Sequence, residues 1–223
     1  MHMVLVLMRK DLLIEWRTRA RVNALIFFSI ATLLMFSFAL GANIVALRQH
    51  AAGYLWMAML FASVLSLGES FRIEHENNSL DGLRLAPADP RALFVGKALG
   101  NTVLLVGLGM VLTPLSIALF DLKMVMPFWS LFAIFGIGSM AISAAGTFYA
   151  AVAANARARD VLLPVLLFPV LVPVLIAAVK ATALIFEGDP MGQMPSWLTM
   201  LGTLNLVYWS MGFVLFPRIM EDL

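Results

Sequence analysis

The sequence predicts an all-α polytopic membrane protein, and three observations carry that prediction. Apolar residues make up 62% of the 223 positions against 13% charged, with a mean hydropathy of +0.94; so few charges cannot form the polar shell of a soluble fold. The apolar residues run continuously over roughly 20 positions at a time, the length of a bilayer-spanning helix, with none of the alternation of a membrane barrel. Finally, twelve of the fifteen lysines and arginines fall on one side of a six-span arrangement. That asymmetry places both termini in the cytoplasm.

The chain opens on a charged stretch, residues 1–21, in which Leu5, Met8, Leu12 and Trp16 recur at spacings of three and four. This seam predicts a helix lying in the membrane interface with its arginines toward anionic headgroups; an ordinary cytoplasmic tail is the alternative. Six spans follow, read as Val22 to Ala46, Ala51 to Leu67, Ala98 to Phe120, Phe128 to Ala154, Val161 to Phe186 and Trp197 to Phe216. The second is the shortest. The first is too long for a signal peptide and has no small-x-small cleavage site. Three tight turns face outward, near Arg48 to Gly53, Asp121 to Met126 and Glu187 to Ser196.

Between spans two and three lies the one long polar stretch, residues 69–97, with five of the thirteen acidic residues and four of the fifteen basic ones. Charge so concentrated marks the chain's main cytoplasmic surface. Ser70 to Asn77 suits a short charged helix, Asn78 or Ser79 can cap a second that Pro87 and Pro90 end, and Asp89-Pro90 opens the helix entering span three. The residues alone fit a docking surface and a solvated loop equally. Gly96 and Gly100 at the start of span three form a Gly-x-x-x-Gly spacing that admits a close neighbour.

Span four is rich in small residues from Gly136 to Gly146, which suits a helix buried in the bundle or at a subunit contact. Span five carries Pro164, Pro169 and Pro173, each of which deletes a backbone donor, so it reads as bent or broken. Such a helix serves as a transporter's hinge, or only as an irregularity of packing.

The residues also exclude several chemistries. Gly96-Lys97 is not a phosphate loop, because Arg91 stands where the first glycine is needed and Ala98 where a serine or threonine is needed. There are no cysteines, and His2, His50 and His75 have no ligand at helical spacing, so no metal site, no directly bound cofactor and no catalytic residue is expected. Asn101 and Asn205 read as helix-helix glue, and nothing points to a nucleic acid.

Two segments carry a family likeness. Glu69, Arg72 and Ser79-Leu80-Asp81-Gly82-Leu83-Arg84-Leu85-Ala86-Pro87 through Gly96-Lys97, then Arg157-Ala158-Arg159-Asp160 with Pro164, and Phe168-Pro169-Val170-Leu171-Val172-Pro173, resemble the CcmB family. These are membrane subunits of the cytochrome c maturation ABC transporter, often called heme exporter protein B. The resemblance covers nearly the whole chain. It implies one permease domain of the ABC-2 exporter type in a bacterial inner membrane, catalytically silent and paired as a homodimer. ATP would be hydrolysed by a CcmA-like subunit, with CcmC-like and CcmD-like neighbours, a CcmE-like heme chaperone as client and heme as cargo of the complex. On this likeness Glu69, Arg72, Glu74, Glu76, Asp81, Arg84 and Pro87 would meet the ATPase, and Arg157, Arg159 and Asp160 would mark the cytoplasmic end of span five. An exporter of a lipid-linked glycan or drug, and a scaffold that moves nothing, are the competing functions.

Overall fold

The computed structural model describes residues 2–41, 43–76, 89–154 and 159–222. Among them are seven helices and no strand: α1 His2–Thr18, α2 Ala20–Leu40, α3 Ile44–Glu76, α4 Pro90–Phe120, α5 Phe128–Ala154, α6 Arg159–Glu187 and α7 Met194–Asp222. Helices α2 to α7 are all long and apolar enough to cross a bilayer. The chain is a multi-pass membrane protein.

Both ends of the chain lie at one end of the bundle, the proximal end. Leu7 of α1 packs on Gly96 near the start of α4, and Phe216 of α7 stacks near Phe94, 5.4 Å between ring centroids. At the distal end the turn 121–127 donates from the Val125 and Met126 amides to the Ile185 carbonyl, at 3.0 and 3.2 Å, and Arg48 pairs with Asp121.

Two boundaries differ from expectation, for one reason. The first span ends at Leu40, because Gly41 takes φ 59°, a left-handed conformation that glycine adopts without strain, and its N–H bonds the Phe38 carbonyl. The Asn43 side chain then accepts from the Ala46 amide at 3.1 Å and starts α3. The break therefore falls between Leu40 and Ile44, not at Arg48 to Gly53, and the second span becomes part of a 33-residue helix instead of the shortest one. Hydropathy could not see this break, because Ile44, Val45 and Ala46 continue the apolar run across it. At its other end α3 continues to Glu76, so the expected short helix from Ser70 is its last turns. Asn78, Ser79 and the second short helix lie outside the described residues. Asp89 does open α4, accepting from the Arg91 amide at 2.9 Å with Pro90 in the first turn.

α5 is the central helix, with 72% of its span buried, and it packs on α3, α4, α6 and α7. Its small residues make that possible. A Cβ on Gly138 would collide with the Trp56 ring of α3, and one on Gly146 with Leu67. Trp56, held in that recess, donates from Nε1 to Thr182 Oγ1 of α6 at 2.9 Å. Asn205 of α7 donates to the Ile137 carbonyl at 2.9 Å, the glue expected of it. α6 buries Leu163, Leu167, Leu171, Val174, Ala178 and Ile185 on the face toward the bundle. α2 and α7 are peripheral, with only 22% and 17% of their spans buried.

Replacing Gly138 by leucine should therefore cost about 1–3 kcal/mol through overpacking against Trp56. Gly136, one residue pair away, has open space around its Cβ position, so Gly136→Leu should leave stability unchanged. Thermal unfolding of the two variants in detergent measures the difference.

Candidate functional site

Described residues hold no group of three or more potential metal ligands. What stands out is a set of buried charges at the proximal end, where α1, α2, α3 and α4 meet. α1 lies against the glycine pair that opens α4. Leu7 Cβ sits 2.9 Å from the Cβ position of Gly96, and Asp11 Cβ 3.9 Å from that of Gly100. The close neighbour invited by the Gly-x-x-x-Gly spacing is thus α1. Its packed stripe is Val4, Leu7, Asp11 and Glu15, whereas Leu5 of the expected seam is 55% exposed. The reason is polar. The seam was read from apolar residues alone, but the stripe on α4 has two carboxylates that meet cations there.

Lys97, with a side chain only 2% exposed, places Nζ 3.9 Å from Asp11 Oδ2. Two turns on, α1 stops as Arg19 adopts φ 48°, a conformation costly for a residue with a Cβ. The resulting corner brings Arg21 of α2 back to Glu15. The guanidinium pairs with Glu15 through Nη1 and donates through Nη2 to the Ser66 hydroxyl at 2.6 Å, to the Ser66 carbonyl, and more distantly to Asn101 Oδ1 at 3.5 Å. Arg21 and Glu15 side chains are 13% and 8% exposed. One arginine fork thereby joins four helices, a use that its planar, divergent donors suit better than a lysine's would. Glu15 Oε2 and Asn101 Nδ2 are buried with no hydrogen-bond partner among the described residues.

This clasp borders the segments that the sequence singled out. Glu69, Arg72, Glu74 and Glu76 lie on the last turns of α3, three residues and more beyond Ser66, but their side chains are outside the described part, as are Asp81, Arg84, Pro87 and Arg157 altogether. Arg159 and Asp160 open α6, their side chains likewise not described. The two groups do approach through the backbone. The Cβ position of Gly68 is 3.9 Å from Leu163, so α3 leaves the bundle beside the first turns of α6. Pro164, Pro169 and Pro173 all lie within one unbroken α6, so of the bent or broken helix expected here the break does not occur. Tyr208 of α7 donates to the Val170 carbonyl at 2.6 Å, one residue past Pro169.

Nothing in this arrangement is a nucleophile with a base, and its chemistry is mechanical: it fixes α1 and α2 to the place where α3 and α4 continue toward residues 77–88. The signal in the sequence was an acidic pair four apart, Asp11 and Glu15, facing a lysine set between two close-approach glycines. Arg21 gave no signal, since only the left-handed corner at Arg19 makes it a partner of Glu15.

The family profile described as CcmB protein matches residues 2–217, from α1 into the last turns of α7. The chain belongs to the CcmB family. Every residue of the clasp falls within the CcmB match. Three proteins named heme exporter protein B are similar over three quarters or more of this chain. That of Rhodobacter capsulatus is 32% identical over 76% of this chain and 78% of its own, that of Pseudomonas aeruginosa 30% over 91% and 90%, and that of Paracoccus denitrificans 35% over 75% and 77%.

Arg21→Met should destabilise this CcmB protein by about 3–5 kcal/mol, because it leaves a buried carboxylate without its cation. Adding Glu15→Met should recover a large part of that loss. A double-variant cycle in chemical denaturation tests the coupling; additive losses would show that the pair is not a unit.

Proposed function

We propose that this chain is the membrane permease subunit of an ABC transporter complex for cytochrome c maturation, itself without catalytic activity. A separate CcmA-like ATPase hydrolyses ATP, and the helix movement it drives serves heme transfer or the release of a heme-loaded CcmE-like chaperone. Family membership and the names of the relatives support heme as the cargo of the complex. The CcmC-like and CcmD-like proteins complete it, with this chain as a homodimer in a bacterial inner membrane.

The observation that carries the mechanism is the length of α3. Its apolar span ends at Gly68, yet the same helix continues to Glu76, eight residues or about 12 Å beyond. A push on that extension moves a rigid rod and not a loose loop. Glu69, Arg72, Glu74 and Glu76 on the extension, with Asp81, Arg84 and Pro87 after it, form the ATPase surface in this reading. The clasp at Arg21 shares the displacement with α1, α2 and α4. Arg157, Arg159 and Asp160 hold the adjacent start of α6, and Pro164, Pro169 and Pro173 let that helix flex. α1 lies in the membrane interface, a placement supported by the exposed Leu5, Val6 and Leu13.

Charge reversal of Glu74, Glu76 and Asp81 to lysine should weaken ATPase co-purification about tenfold, the effect of three ion pairs with the partner at roughly 0.5 kcal/mol each. Cytochrome c yield should fall with it, and retention of both would refute the coupling surface. Deleting the chain should abolish heme attachment to c-type cytochromes, whereas unchanged attachment would point to a different cargo.

Both termini face the cytoplasm in this reading, which the distribution of basic residues supports. Single cysteines at Asn43, Lys123 and Gly192, all exposed at the distal end, should react with an impermeant thiol reagent in intact cells. Cysteines at Asn78 and Asp222 should stay unlabelled until the membrane is opened. Gly53 is unsuited to this test, because it lies inside α3 and not in a turn.

A further inference from the structure

At the distal end, far from the clasp, α2, α3 and α6 part around a groove of about 640 Å³, a size typical of small-molecule sites. Its wall is apolar and aromatic. Phe36 of α2 stacks on Tyr54 of α3, 4.6 Å between centroids and 15° between planes, with Met57 a turn further in. Its rim is polar, with His50 on α3 and the charged Lys180 and Glu187 on α6.

The spacing of those charges selects an occupant. Lys180 and Glu187 are seven residues apart, which puts them on one face of α6 and about 10 Å apart along its axis. The lysine sits within the span and the glutamate at its end. A lysine inside an apolar span is costly unless it reaches headgroups or an anion. Here it opens into a groove whose far end carries the opposite charge, so a purely anionic occupant would meet a carboxylate and a purely cationic one an ammonium. A zwitterion satisfies both. The apolar wall between and below the two poles excludes a small hydrated zwitterion in favour of one that carries a hydrocarbon chain. The Glu187 carboxylate, an acceptor only, favours a primary ammonium that can donate to it over a quaternary one that cannot.

We propose that this groove binds a zwitterionic phospholipid of the ethanolamine class. The phosphate engages Lys180 and His50, the ammonium engages Glu187, and the first acyl segments lie against Phe36, Tyr54 and Met57. This assignment is independent of the transporter reading above; it needs only a bilayer around the helices.

The test is native mass spectrometry of the full chain, released from nanodiscs that hold equal parts phosphatidylethanolamine, phosphatidylglycerol and phosphatidylcholine. The wild type should retain phosphatidylethanolamine in preference to the other two. Lys180→Met should weaken retention of all three about tenfold, the loss of one charge-assisted contact. Glu187→Gln should keep the phosphate contact but abolish the preference for ethanolamine over glycerol. Gly53→Leu projects into the groove from a position where a Cβ meets no atom within 4 Å, so it should expel lipid while the unfolding midpoint holds. Retention of the three lipids in the proportions supplied would overturn the proposal, as would wild-type profiles in Lys180→Met and Glu187→Gln. So would hemin that displaces the lipid from the wild type, with an absorbance shift lost in Lys180→Met, since the groove would then belong to a dicarboxylate macrocycle.

Discussion

The bundle depends on how closely α3 can approach α5. Between helices in lipid there is no water to expel, so association rests on van der Waals contact and on hydrogen bonds that close fit permits. Gly138 and Gly146 supply the fit by making recesses for Trp56 and Leu67. The indole then spans past α5 to Thr182, so that one recess fixes three helices. α4 attaches to α5 by the same device, with Phe135 over Gly109, and α7 to α4, with Phe94 against Gly212. α2 and α7 complete the perimeter and leave most of their surface to lipid.

Against this apolar frame the clasp is an expense. Two ionised side chains almost removed from water lose several kcal/mol of hydration each, which their mutual attraction repays only with good geometry and further hydrogen bonds. Apolar residues of similar volume would hold α1 to α4 as firmly. What they would not do is fix one relative position of four helices, since an arginine fork with a carboxylate, a hydroxyl and a carbonyl has one arrangement in which all are met. That definition lies at the end of the bundle where α3 continues past its span. At the other end, α3 is pinned through Arg48 to Asp121. One uninterrupted helix therefore joins the two polar regions of the molecule.

Hydropathy made the number and nature of the spans legible, and small-residue spacing made legible that α5 is central and that α4 opens on a close neighbour. Boundaries were less legible where conformation and not polarity ends a helix. Gly41 breaks an apolar run that looks continuous from Val22 to Ala46. The three prolines of α6 illustrate the converse, since local propensity argued for a bent or broken helix and α6 runs unbroken from Arg159 to Glu187. For α1 the apolar seam was legible, but the stripe packed on α4 was not, because it includes Asp11 and Glu15, which no count of apolar residues would select. The clasp itself joins positions 6, 45 and 80 residues from Arg21, and sequence alone has no term for such distances.

Those same separations bear on the order in which the molecule assembles. The entropic cost of closing a loop rises with the logarithm of its length, so Glu15 and Arg21, six residues apart, can meet once α1 and the first turn of α2 exist. Ser66 arrives only after α3 has been made, and Asn101 later still. The arginine thus enters the bilayer already neutralised by its neighbour in sequence and exchanges solvent for protein partners one helix at a time. A charge that would be hard to insert alone is carried in as half of a pair, and the nascent chain never has to bury it bare.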